Sequence, residues 1–170
     1  DGYCLPCCVN LCPHIKVSRN YKTKETEVVS RIKEHFPDFS WVCDKQVQDG
    51  CSKRRPDMLL DMGSHIIIVE IDENKHNDYE CSCENKRLML LSQDLNHRPI
   101  IFIRFNPDSY TTLEGIKKTS CWKVNKLGVM TIIKKKTEEW EIRIETLIDQ
   151  IQYWIDNSNK KTVEIVQLFY

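Results

Sequence analysis

Apolar positions change their spacing several times along this chain, and the changes divide it into elements. Val28, Val29, Ile32 and Phe36 recur at helical intervals, with Thr23 as a plausible N-cap and Pro37 as the stop. Phe39 to Val47 reads as a strand of roughly seven residues, followed by an Asp49-Gly50 turn. Met58, Leu59 and Leu60, then Ile66, Ile67, Ile68 and Val69, form two short apolar strands that can pair as a hairpin about Gly63. Leu88, Leu91 and Leu95 make one stripe on a helix from Glu84 to Leu95. Arg98 to Phe105 is a buried strand ended by Asn106-Pro107-Asp108. Ser109 to Lys136 has little periodicity and is expected to be a long loop. Thr137 to Asn157 is the longest helix, with Trp140, Ile144, Leu147, Ile148, Ile151, Trp154 and Ile155 facing the core, and the last residues form a final strand. The order is αβββαβ, then a long helix and a strand. A helix between the third and fourth strands predicts a parallel pair on one edge of a mixed sheet, with helices against its faces.

Acids mark the ends of the two short strands. Asp57 opens the first; Ile66 to Val69 run straight into Glu70 and Asp72, with His76 just beyond. Strand positions two apart share a face, so Glu70 and Asp72 point the same way, and the hairpin brings Asp57 beside them. Three converging carboxylates repel one another unless a cation lies between them. They are a candidate Mg²⁺ (or Mn²⁺) site, and phosphoryl transfer is the chemistry Mg²⁺ most often serves.

Lys+Arg and Asp+Glu both number 25, so the formal net charge is zero and any nucleic-acid surface is a local patch. No apolar run approaches the roughly 20 residues that span a bilayer, so no membrane partner is expected. No secretory signal pattern opens the chain, which begins on Asp1 as a segment of a longer protein would. The chain holds nine cysteines. Cys4, Cys7, Cys12 and His14 have the spacing of a tetrahedral Zn²⁺ knuckle, with Cys8 able to replace one ligand. Cys51, the Cys81/Cys83 pair and Cys121 are candidates for a second Zn²⁺ site; the alternative for each is a reduced, buried thiol. Cys43 reads as core. Zinc or reduced thiols both point to an intracellular protein, nuclear or cytoplasmic.

Pro56-Asp57, twelve residues, then Glu70-Ile71-Asp72 resembles the motif of the PD-(D/E)xK nuclease superfamily. The following N-K-H, E-N-K-R and R-P-I-I-F-I-R-F are similar to the branch of very-short-patch-repair endonucleases, and the chain is similar to proteins of algae, oomycetes and large DNA viruses. The resemblance covers about residues 23–106. It implies a restriction-endonuclease-like α/β core; the cysteine-rich zinc extension over 1–22 and the C-terminal helix and strand over 137–170 lie outside it, the latter completing a nuclease-like domain over 23–170. It implies a Mg²⁺-dependent endonuclease acting on DNA, as a homodimer or larger assembly where both strands are cut. Asp57 and Glu70 would be metal ligands. Asp72 stands where the family usually has lysine and would bind metal directly or through water. His76 would be general base or orient the attacking water. The family's helix glutamate falls on Glu25 or Glu27, with Glu25 favoured because Val28, Val29 and Ile32 bury. Arg87 or Lys86 would balance the phosphate charge. The loss of the lysine leaves an alternative: a catalytically inactive, zinc-stabilised, nucleic-acid-binding or structural subunit.

Overall fold

The computed structural model describes residues 24–48, 50–73, 81–126, 130–158 and 161–170, without the side chains of 81–84. The proposed knuckle of Cys4, Cys7, Cys12 and His14 lies outside the described residues, as do Thr23, His76 and the side chains of Cys81, Cys83 and Glu84.

Mixed α/β architecture follows from where the apolar residues fall. Helix α1 (Lys24–His35) buries Val28 and Ile32 and is followed by β1 (Val42–Cys43), β2 (Met58–Asp61) and β3 (Ile66–Ile71). Helix α2 (Cys81–Asp94) crosses to β4 (Ile100–Phe105). Two small ribbons follow, β5 (Tyr110–Thr111) with β6 (Lys117–Lys118), and β7 (Trp122–Val124) with β8 (Met130–Ile132). Helix α3 (Thr137–Asp156) then leads to β9 (Val163–Leu168). The main sheet has five strands in the order β1-β2-β3-β4-β9. The first two pairings are antiparallel, and β3–β4 and β4–β9 are parallel.

Every residue of β3 is buried, and so are all of β4 except half-buried Arg104. Such continuous apolar runs are what a sheet covered on both faces requires. Strand parity sorts the faces. Ile67, Val69, Ile101 and Ile103 pack with Val28, Ile32, Trp140, Ile144 and Leu147 under α1 and α3. Ile66, Ile68, Ile100 and Phe102 pack with Leu91 and Leu95 under α2. Each fully buried aliphatic side chain contributes roughly 1.5–3 kcal/mol. The hairpin between β2 and β3 turns at Gly63, whose φ of +78° suits a residue without a side chain.

Three expectations are corrected. The strand over 39–47 shrinks to Val42–Cys43, because it pairs with β2 through only those residues and Asp44 takes a left-handed φ of +44°. The segment 109–136 is not a plain loop but the two ribbons and a 3₁₀ turn at Lys134–Lys136, whose strands are too short to show a sequence period. The parallel β3–β4 pair is not at a sheet edge: α3 crosses back and sets β9 beyond β4. Among the described residues no helix is long and apolar enough to cross a membrane.

Candidate functional site

The carboxyl ends of β3 and β4, where open α/β sheets tend to bind ligands, collect the acids singled out in the sequence. Met58 lies opposite Val69, so one further step of the antiparallel register sets Asp57 opposite Glu70. Asp57 precedes the first ladder residue of β2, and its side chain does the work of the missing backbone: Oδ2 accepts the Ile71 N–H at 2.7 Å. Burial raises the Asp57 carboxyl above its ordinary value; the Ile71 bond and Arg87 oppose this, and Asp72 and Asp44 add to it.

Glu70 shares the parity of Ile66 and Ile68, so it faces α2 and is only 5% exposed. One nitrogen of α2 meets it: Arg87 Nη2 donates to both Glu70 oxygens at 2.7 and 2.6 Å, and also lies 3.2 Å from the Arg55 carbonyl. Arg87 Nε is buried without a hydrogen-bond partner among the described residues. The pair is therefore not the usual two-pronged arginine clasp. A single nitrogen sits between the two oxygens, as a chelated cation would. Burial nonetheless pushes Glu70 up to about 8, with Asp57 adding to the rise and Arg87 only partly offsetting it.

Glu25 joins this group from α1. Its backbone N–H, in the first turn of the helix, donates to Glu73 Oε1 at 2.7 Å, a favourable place for a carboxylate. Burial raises the Glu25 carboxyl, followed by the charges of Asp57, Glu73 and Asp44. The helix start thus turns Glu25 toward the acids.

Asp72 is differently engaged. Its N–H continues the parallel ladder to Phe105 O, and its Oδ2 accepts from Arg104 Nε at 2.8 Å and from the Tyr170 hydroxyl. The Arg104 guanidinium lies 5.1 Å from the Tyr170 ring centroid. Asp72 is therefore an acid that holds an arginine. In the sequence Arg104 has only a general basic character, and Tyr170, 98 positions from Asp72, gives no signal of this contact. Lys86, the alternative to Arg87, is exposed.

Of the second proposed zinc set only Cys51 and Cys121 have described side chains, and they fall on opposite faces of the sheet. Cys121 is fully buried in the layer beneath α1 and α3, next to Trp122, and burial raises its thiol. Cys51 is exposed and its N–H donates to Asp94, the last residue of α2, on the other face of the sheet and at the opposite end of the strands. Cys121 is a core thiol, and Cys43 packs against the same layer.

Among the described residues no three His, Cys, Asp or Glu side chains form a group that could hold a metal ion as they stand. Two of the acids fit one in chemistry. Asp57 Oδ1 accepts no hydrogen bond among the described residues, and Glu70 is a buried hard-oxygen donor short of positive charge. Mg²⁺ keeps several waters and needs only one or two carboxylates. Binding by Glu70 requires Arg87 to turn aside; the Arg87 side chain is 37% exposed.

A mixed α/β protein with a partly buried carboxylate cluster at the carboxyl ends of its parallel strands is the class that fold and site define. No protein-family model matches the chain, and no curated protein matches its sequence. The geometry therefore carries the functional reading.

Proposed function

We propose that this chain is a divalent-metal-dependent endonuclease that hydrolyses phosphodiester bonds in DNA. The observation that carries it is the facing pair Asp57 and Glu70, both raised in pKa chiefly by burial, which Arg87 only partly offsets, with Glu25 beside them. The order helix, antiparallel β1-β2-β3, helix, parallel β4 agrees with the αβββαβ core that the resemblance to PD-(D/E)xK nucleases implies.

Asp57 and Glu70 are the residues to hold Mg²⁺ or Mn²⁺, and Glu25 is placed to orient a water beside it. A bound divalent ion supplies Lewis acidity to a phosphate oxygen and lowers the pKa of a water. Arg87, released from Glu70, offers its guanidinium to the phosphate as charge develops there. Asp72 acts as a positioning residue: with Tyr170 it fixes Arg104 at the end of β4. His76 remains the proposed proton acceptor, and zinc at Cys4, Cys7, Cys12 and His14 remains a proposal.

Purified protein incubated with plasmid, branched and single-stranded DNA in Mg²⁺ or Mn²⁺ should cleave. An Asp57→Ala variant should lose at least about a hundredfold in rate, as loss of a principal charge-stabilising group does. Equal cleavage by both proteins, or none in any metal, refutes the enzyme reading. A second reading, an inactive nucleic-acid-binding subunit, is favoured by one observation: Glu70 and Asp72 are already engaged by Arg87 and Arg104. It predicts DNA binding without cleavage.

A further inference from the structure

Charge on this neutral chain is unevenly spread. From Tyr110 to Lys136 the sequence holds seven lysines against one acid, Glu114. Six of them, Lys117, Lys118, Lys123, Lys126, Lys134 and Lys135, are exposed, and among the described residues none makes an ion pair. Only Lys136 is engaged, with Thr119 and Glu139. Some long cations elsewhere on the surface are met by acids, as in Arg98 with Asp61 and Lys161 with Glu164; what sets this segment apart is the density of lysine against a single acid.

The same segment presents apolar side chains outward on an ordered turn. Leu113 is fully exposed and Ile116 more than half so, on either side of Gly115 with its φ of +81°. Thr112 closes that turn: its N–H donates to Ile116 O, its carbonyl accepts the Gly115 N–H, and its hydroxyl accepts the Ile116 N–H. Leu113 and Ile116 thus form a small apolar pair held in water on that turn.

Both ribbons are rooted beside the carboxylate cluster. Asp108 Oδ1 accepts from Ser120, between the ribbons, at 3.3 Å, and from Lys24 Nζ at 2.5 Å; Lys24 is the neighbour of Glu25. The Asp108 carbonyl is held by Arg143 Nη1 at 2.7 Å, and buried Cys121 and Trp122 tie the second ribbon to the core.

We propose that this two-ribbon insert is a nucleic-acid-binding wing, its lysines contacting phosphates and its Leu113–Ile116 tip packing on sugars or bases. Lysines give backbone affinity without reading sequence, and leucine and isoleucine are side chains that wedge against base steps. Lysine with leucine also suits an anionic bilayer. Nucleic acid is favoured because the wing is rooted at the acids proposed to cut it, and to that extent it rests on the nuclease reading.

Binding of a fluorescent 25-base-pair duplex and a single strand, in EDTA across a salt series, tests this. Wild-type protein should bind with a steep salt dependence. A variant with Lys117→Gln, Lys118→Gln, Lys123→Gln and Lys126→Gln should bind at least on the order of tenfold more weakly at 0.15 M salt. Its slope of log Kd against log salt on the duplex should fall by about 3 to 4, close to one per lost phosphate contact. Leu113→Ser should weaken binding and leave the slope unchanged; an unchanged affinity would remove the tip from the proposal. All five positions are exposed, so circular dichroism should report an intact fold for each variant. The wing is overturned if the quadruple variant binds like wild type, if wild type binds no nucleic acid, or if it binds only vesicles of phosphatidylcholine and phosphatidylserine. Cleavage in Mg²⁺ is read separately. Binding through the wing without cleavage would sink the nuclease reading alone, and cleavage with wing-independent binding would sink the wing alone.

Discussion

At Glu70 two demands conflict. The strand needs a buried side chain facing α2, and the carboxylate needs water or a counter-charge. One arginine nitrogen supplies part of the second, yet the carboxyl still rises from 4.5 to about 8. The folded state therefore holds the Glu70 proton more tightly than the unfolded chain does. Between about pH 4.5 and 8 the unfolded state releases that proton first, so stability falls as pH rises through the window and levels off above it. Glu25 and Asp57 are raised too and act in the same direction. A tenfold difference in proton affinity between the two states is worth about 1.4 kcal/mol. In EDTA, thermal denaturation should show a melting temperature that declines from pH 5 to pH 8, and Glu70→Gln should flatten most of the decline. A flat wild-type profile would mean that the acids are solvated. At pH 8, Mg²⁺ or Mn²⁺ should raise the melting temperature by stabilising the folded state alone. Asp57→Ala should abolish that rise, and EDTA should reverse it. Asp57 and Glu70 were legible in the sequence because register and spacing within one hairpin fix their meeting. The grip of Arg104 and Tyr170 on Asp72 was not, since it depends on a parallel neighbour and on a tail brought back by α3.

The three helices, the β2–β3 hairpin and β4 could be read from periodicity because each buries a continuous apolar face. Elements that bury little were misread: β1 keeps two ladder residues, and the ribbons after β4 are held by turns and by Trp122 rather than by alternation. The connection between β1 and β2 is likewise fixed by side chains. Asp94 stands in the last turn of α2, where the helix dipole disfavours an acid. It accepts the N–H groups of Cys51 and Ser52 at 2.9 and 3.1 Å, and the Ser52 hydroxyl. Gly50 packs so closely there that a Cβ would come within 2.8 Å of Asp94 Cγ. That connection delivers Asp57 and the Arg55 carbonyl to the site. Asp94→Ala should destabilise the protein by about 1–3 kcal/mol in urea denaturation, by orphaning these donors. It should also shrink the metal-induced rise in melting temperature. Full retention of both would show that the ladder alone positions Asp57.

Across the whole molecule the sheet is ordered so that Asp57, Glu70 and Asp72 share one end, and β9 completes that end from the far side. The sequence predicted a parallel crossover but not that a second one would bury β4 between two parallel neighbours. Cysteine spacing carried no information on faces, which is why Cys51 and Cys121 could be grouped although the sheet separates them. The far strand does more than close the sheet. It pairs with all of β4, from Ile100↔Val163 to Phe105↔Leu168. Phe169 then meets Phe105 and Tyr110 edge-on, Asn106 Nδ2 donates to the Phe169 carbonyl at 2.7 Å, and Tyr170 reaches Asp72. Removing 159–170 would bare the edge of β4, a long apolar strand of the kind that pairs with other chains. That truncated chain should aggregate on expression, as size-exclusion chromatography would report. Tyr170→Phe removes only the hydroxyl. It should leave the melting temperature within about 1–2 °C, since one partly exposed hydrogen bond contributes little net stability. If Arg104 serves the reaction through Asp72, the same variant should slow DNA cleavage severalfold with Kd for DNA unchanged. Equal cleavage would leave Asp72, Arg104 and Tyr170 as a structural clasp that joins β9 to the end of β3.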